Sequence, residues 1–147
     1  MRAGLDGKTD GLEFNPWPQN KPAPCSSIPA LEAAKCATLQ GKDAFRAYDL
    51  TLFKGFFEEC EDIADRDVLI HLAHKAELDV DRFIYDLDSG AQRRLVMAEF
   101  LECLANFGPY AQGVPLTSFN NSPPLVGCAP IEVYRTAIMR QLEPLAR

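Results

Sequence analysis

Five cysteines, at positions 25, 36, 60, 103 and 128, are the residues of this chain best suited to chemistry. A thiolate attacks disulfides and binds soft metals, whereas a protonated thiol does neither well. Their odd number and wide spacing fit neither a secreted disulfide framework nor a set of zinc ligands, and no two of them form Cys-x-x-Cys. Cys25 stands in a polar, proline-rich stretch just ahead of a predicted helix. It reads either as an incidental loop cysteine, the simpler account, or as an exposed thiol whose thiolate the helix dipole favours. It is the one candidate catalytic thiol. Cys60, set among Glu58, Glu59, Glu61 and Asp62, is expected to keep its proton and stay inert. Cys36 and Cys103 lie in apolar helical stretches and are expected to be buried, reduced thiols acting as small hydrophobes. Cys128 directly precedes the last predicted helix, and the sequence does not fix what it faces.

Two further groupings invite a chemical reading. His71 and His74 are three apart on a predicted helix with Asp67 and Glu77 within a turn, but two imidazoles without a third make a poor metal site. A solvated helix face is expected there, and no metal. Gly113-Val114-Pro115 precedes Leu116 to Phe119, then Asn120-Asn121, then Leu125-Val126-Gly127, and a helix opens at Pro130. The pattern predicts strand, turn, strand and helix. A proline cannot donate to a sheet ladder and is confined to strand starts and edges. The Val114–Pro115 bond therefore reads either as a cis peptide at the strand entrance or as a turn proline ending a loop. No glycine-rich phosphate loop and no Ser-His-Asp pattern is present, and no cofactor is expected.

These groups must be held by the elements around them. Residues 1–27 are loop-rich, with glycines at 4, 7 and 11 and prolines at 16, 18, 22 and 24, and they admit one short strand over 11–14. Ser26-Ser27 are N-cap residues for a helix with Pro29 in its first turn, an apolar stripe of Leu31, Ala34, Ala37 and Leu39, and a stop at Gly41. Asp43 is expected to cap a second helix whose Phe45, Leu52, Phe53, Phe56 and Phe57 form the centre of a helical core. Asp65 caps a third helix bearing Val68, Leu69, Leu72 and Ala76. Asp79 caps a fourth with Val80, Phe83, Ile84 and Leu87. A fifth runs from about Gly90 to Phe107 with Leu95, Ala98, Leu101, Leu104 and Ala105 on one side, ended by Gly108-Pro109. Five helices with short connections are expected to pack as a bundle.

Composition narrows the function class. A chain of 147 residues with 47% hydrophobic and 24% charged residues is ordinary for one globular domain with a real core. A net charge of −6 with scattered basic residues argues against nucleic acid as a partner. No run of 18 apolar residues suggests a membrane span, and residues 1–8 lack the apolar core of a signal peptide, so the expected location is cytoplasmic.

Taken in order, these segments resemble the DsbA-like branch of the thioredoxin superfamily. The resemblance covers roughly residues 11 to 142. It rests on Gly11 to Pro18, on Leu31 to Ala37 followed by Gln40-Gly41, on Leu52 to Phe57, on Asp62 to Asp65, on Val68-Leu69 and Leu78-Asp79, and on the closing Gly-Val-Pro hairpin. Gly127-Cys128-Ala129-Pro130-Ile131-Glu132-Val133-Tyr134 is similar to the last helix of cytoplasmic FrnE-like proteins. The resemblance implies an α/β, mostly helical, incomplete thioredoxin-like fold with a large inserted helical domain. On this reading 1–27 is a remnant of the thioredoxin-like part, 28–108 the inserted helical domain, and 109–147 the C-terminal hairpin and helix. It further implies a thiol-disulfide oxidoreductase acting on protein or small-molecule thiols and disulfides, with Val114 and Pro115 facing the substrate. The family's first strand and its Cys-x-x-Cys helix have no counterpart ahead of residue 11. The expectation is a truncated form without its redox dithiol, which either pairs with a second copy through open sheet edges or leaves residues 1–25 and the hairpin mobile. The alternative is a non-catalytic binding module that keeps the substrate-facing proline.

Overall fold

In a computed structural model, residues 14–110, 113–120 and 122–142 are described. Six α-helices and one two-stranded sheet appear among them: α1 Ile28–Thr38, α2 Lys42–Phe57, α3 Arg66–Lys75, α4 Val80–Asp88, α5 Ala91–Phe107, β1 Leu116–Thr117, β2 Leu125–Val126 and α6 Ile131–Leu142. The protein is thus a mostly helical α/β chain, as expected. It divides between Met97 and Ala98 into two compact units. The expected strand over 11–14 falls mainly outside the described residues, and Phe14 itself is not in a strand.

Helices α1 to α4 pack on one another in the first unit. Their core joins Ala30, Ala33, Cys36 and Ala37 of α1 to Tyr48 and Leu52 of α2, Leu69, Leu72 and Ala73 of α3, then Leu78 and Phe83. Small side chains on α1 let neighbouring helices come close, since interaxial distance follows side-chain size at the contact. Gly55 does the same for α2 and α3: a Cβ there would lie 3.0 Å from Leu72 Cδ2. Tyr48 is wholly buried, packs its ring on Phe83 at 5.2 Å, and donates its hydroxyl proton to the Leu69 carbonyl at 3.2 Å. That bond removes the penalty of an unpaired buried hydroxyl.

Caps set the helix boundaries. Asp65 accepts from the Asp67 and Val68 amides and Asp79 accepts from Arg82, as expected of N-cap aspartates. Asp43 does not cap α2. The N-cap is Gly41 at φ 114°, and Asp43 falls inside the first turn, where its charge still complements the helix dipole. The connections are tied across sequence. Gln40 exchanges two 2.9 Å hydrogen bonds with the Asp79 backbone, and Arg66 forms a bidentate pair with Asp88.

Three core expectations need correction. On α1 the buried face is Ala30, Ala33, Cys36 and Ala37, while Leu31 and Leu39 are exposed. The tight approach to α2, α3 and α4 selects the small-residue face over the bulkier one. Of the expected core set on α2, only Leu52 is buried; Phe53 is exposed, and Phe45, Phe56 and Phe57 are half-buried. Phe57 packs on Phe14 at 4.8 Å and Phe56 on Trp17 at 5.4 Å, forming a separate aromatic cluster beneath the N-terminal strap. The strap is fastened by Asn15, whose amide donates to Phe57 and whose side chain donates to Glu58. On α5, Leu95, Ala98, Leu101, Leu104 and Ala105 are all exposed, and the buried residues are Gln92 and Val96. Their helical spacing defines a face but does not supply a surface to cover it.

Candidate functional site

The second unit carries the Gly-Val-Pro segment. β1 and β2 pair antiparallel, Leu116 opposite Val126 and Thr117 opposite Leu125, in agreement with the predicted hairpin. The turn closes through Ser122, whose amide and hydroxyl both donate to the Phe119 carbonyl, at 3.1 and 2.7 Å. The Val114–Pro115 peptide is cis. Pro115 has no N–H to give, but its carbonyl accepts from the Gly127 amide at 2.7 Å, which prolongs the pairing by one residue on one side only. Gly127 holds φ 79°, a conformation that costs glycine little. Tyr134 on α6 bridges the exit of β2: its hydroxyl accepts from the Ala129 amide and donates to the Gly127 carbonyl.

Val114 lies just outside this ladder. Its residue is 91% exposed, and neither its N–H nor its carbonyl has a hydrogen-bond partner among the described residues. An extended peptide that adds to a strand edge needs backbone groups of this kind. A concavity of about 460 Å³ opens elsewhere in this unit, lined by Asn106, Tyr110, Asn120 and Pro123 among others, and it includes neither Val114 nor Pro115.

The thiols are distributed between the units. Cys25 is exposed in the loop ahead of α1. The local helix start is held by Ser26, whose hydroxyl accepts from the Ile28 amide, while Ser27 occupies the N-cap without a side-chain bond. Cys25 belongs to the first unit; Val114 and Pro115 belong to the second. Cys36 is buried as expected, and burial, with Asp86 and Glu32 nearby, pushes its thiol up to about 12, so it stays protonated near neutral pH. Cys60 is buried too, its sulfur 3.9 Å from the Pro16 carbonyl. Cys103 was expected to be buried and is exposed, because the face of α5 that carries it is uncovered. Cys128 is exposed one residue beyond Gly127, beside the amide that bonds Pro115. Sequence reasoning could not place that thiol; the Gly127-Cys128 step, read against the register of the hairpin, is the signal that would have done so.

His71 and His74 are exposed on α3, and among the described residues no three His, Cys, Asp or Glu side chains are grouped to hold a metal ion. No helix among the described residues is long and apolar enough to cross a membrane.

Comparison with known proteins yields one family. The family model described as Thioredoxin matches residues 8–99, well over half of the chain, ending short of the hairpin. No curated protein matches. The matched segment carries the whole α1 to α4 packing, and on that match the chain belongs to the thioredoxin family.

Proposed function

We propose that this chain works in thiol-disulfide exchange as a DsbA-like, FrnE-like protein of the cytoplasm, and that Val114 and Pro115 receive an extended, thiol-bearing segment of its substrate. The supporting observation is the unpaired Val114 backbone next to a strand that begins at Leu116. A substrate strand laid there gains main-chain hydrogen bonds at little cost in side-chain specificity. Among the exposed thiols, Cys128 is next to the amide that bonds Pro115 and is the candidate to exchange with the bound segment, while Cys25, in the first unit, precedes a helix N-terminus and is a second candidate thiol for exchange. In such a step a cysteine thiolate attacks one substrate sulfur, the S–S bond breaks, and the other substrate sulfur leaves as thiolate.

A second reading, a binding module without redox turnover, is favoured by one observation. The chain has no Cys-x-x-Cys, so it offers no adjacent thiol to resolve a mixed disulfide.

Binding is tested with a fluorescent, cysteine-containing extended peptide, followed by anisotropy. Val114→Pro, which deletes the amide donor, should abolish binding, and Val114→Ala should retain it because the side chain is exposed. Equal binding by the Val114→Pro variant, with its helical circular dichroism unchanged, would refute the edge role. Insulin reduction then separates the two readings. Turnover lost in Cys128→Ser or Cys25→Ser supports exchange chemistry, and peptide binding with no turnover above the thiol control supports the binding module.

A further inference from the structure

Away from the hairpin, the first unit holds a concavity of about 350 Å³ between α1, α2 and the loop that follows α2. Its walls are Leu31, Phe53, Phe56 and Phe57 with other aliphatic side chains, and its polar groups are Ser27 and Asp49. Size and lining fall within the range of small-molecule sites, which are mainly apolar with a few placed polar groups.

Asp49 is the distinguishing residue. It is half-buried in an apolar, aromatic wall, and it has neither an ion-pair nor a hydrogen-bond partner on its side chain among the described residues. The other acidic residues nearby are differently placed: Asp43 faces Arg46, Glu59 faces Lys75, and Glu61 faces Lys21. A carboxylate flanked by three phenylalanines favours a cation twice over, once by charge and once through the negative faces of the rings. The N-terminus of α1 at Ser27 opposes this, but a helix end carries only about half a unit charge against the full charge of the carboxylate. The apolar walls favour an aromatic or alkyl body on the same molecule.

We propose that this concavity binds a small amphipathic ammonium compound, an apolar aromatic body carrying a single positive charge, with Asp49 holding the charge and Phe53, Phe56 and Phe57 the body. No cysteine lines the site, and neither does Val114 or Pro115.

A built-in reporter makes the test direct. Trp17 is the only tryptophan, and its ring packs on Phe56, a wall of the site. Phenethylammonium titrated into the full chain should change Trp17 fluorescence saturably, and it should bind about tenfold more tightly than phenethyl alcohol, its neutral counterpart. In Asp49→Asn that preference should fall to about twofold or less, with the neutral compound bound as before. Phe53→Ala, at an exposed position that the fold tolerates, should weaken both compounds. Three results would each overturn the proposal: no saturable change with either compound, equal affinity for the two, or a cation preference that survives Asp49→Asn.

Discussion

The two units differ in where their apolar side chains go. Every buried hydrophobic residue among those described lies at or before Val96. Beyond it, α5 exposes Phe100, Leu101 and Leu104, and α6 exposes Ile131, Ile138, Met139 and Leu142. Among the described residues, fully buried hydrophobic side chains therefore lie in the first unit, and those of the second are half-buried or exposed. Apolar area counts only when it leaves water, at roughly 25 cal/mol per Å². Four helices can enclose a core among themselves, whereas a hairpin of two short strands is marginal alone. The element proposed to receive substrate lies in the less buried unit, where local opening is easiest.

The largest expected effect would break this comparison if it failed. Phe83 is fully buried against Tyr48, so Phe83→Ala should cost about 3–5 kcal/mol in urea unfolding. Ile131 on α6 is 61% exposed, and Ile131→Ala should stay within about 0.5 kcal/mol. Comparable losses at the two positions would mean that the second unit has a core of its own.

A subtler test concerns the α2–α3 approach. Gly55→Ala gains roughly 1 kcal/mol of helix propensity. It also forces a methyl group to within 3.0 Å of Leu72, a fully buried side chain. Overpacking of about 1–3 kcal/mol should win, leaving a net loss near 1 kcal/mol. In a Leu72→Ala background the same glycine change should become stabilising. Strict additivity in that cycle would show that the close approach carries no energy.

Much of the helical architecture was legible because its signals are local. Asp65 and Asp79 announce their helices by cap chemistry, and Gly108-Pro109 ends α5 where expected. The hairpin register was legible too, from Gly-Val-Pro, the Asn-Asn turn and Leu125-Val126. The identity of the core was not. Counting large aromatic residues pointed to Phe53, Phe56 and Phe57, but helix packing is decided by which faces fit closely, and that selected Ala33, Cys36 and Ala37. Periodicity alone likewise said nothing about what would cover α5. For the candidate site, Val114 and Pro115 could be named from the sequence. The position of Cys128 beside them depends on a register that only the paired strands define.

Within the second unit, Tyr134→Phe sharpens the contrast. Its two hydrogen bonds, at 3.3 and 3.4 Å, are long, so their loss should cost about 0.5–1 kcal/mol, at the low end for such bonds. The loss should appear as faster hydrogen exchange at Gly127 and Ala129, with amides of α3 unchanged. Faster exchange that also reaches α3 would instead mean that the two units open together.

The smallest effect tests the sign of a buried charge in the first unit. Glu32 sits on the closely packed face of α1, and burial raises its carboxyl above the ordinary 4.5, with Arg93 pulling the other way. Because the net shift is upward, desolvation outweighs the attraction to Arg93. The folded protein then holds a proton at pH values where the unfolded chain has released it. The stability linked to this group is fully present below 4.5 and is lost as pH rises through the higher, folded value. Glu32→Gln keeps the shape and removes the ionisation. The variant should therefore match the wild type in acid well below 4.5 and exceed it slightly at neutral pH. Arg93→Ala should widen that gap by deleting the one compensating charge. Urea midpoints measured across the acid-to-neutral range decide the matter: a variant weaker than the wild type at neutral pH would mean that the Glu32–Arg93 attraction outweighs burial.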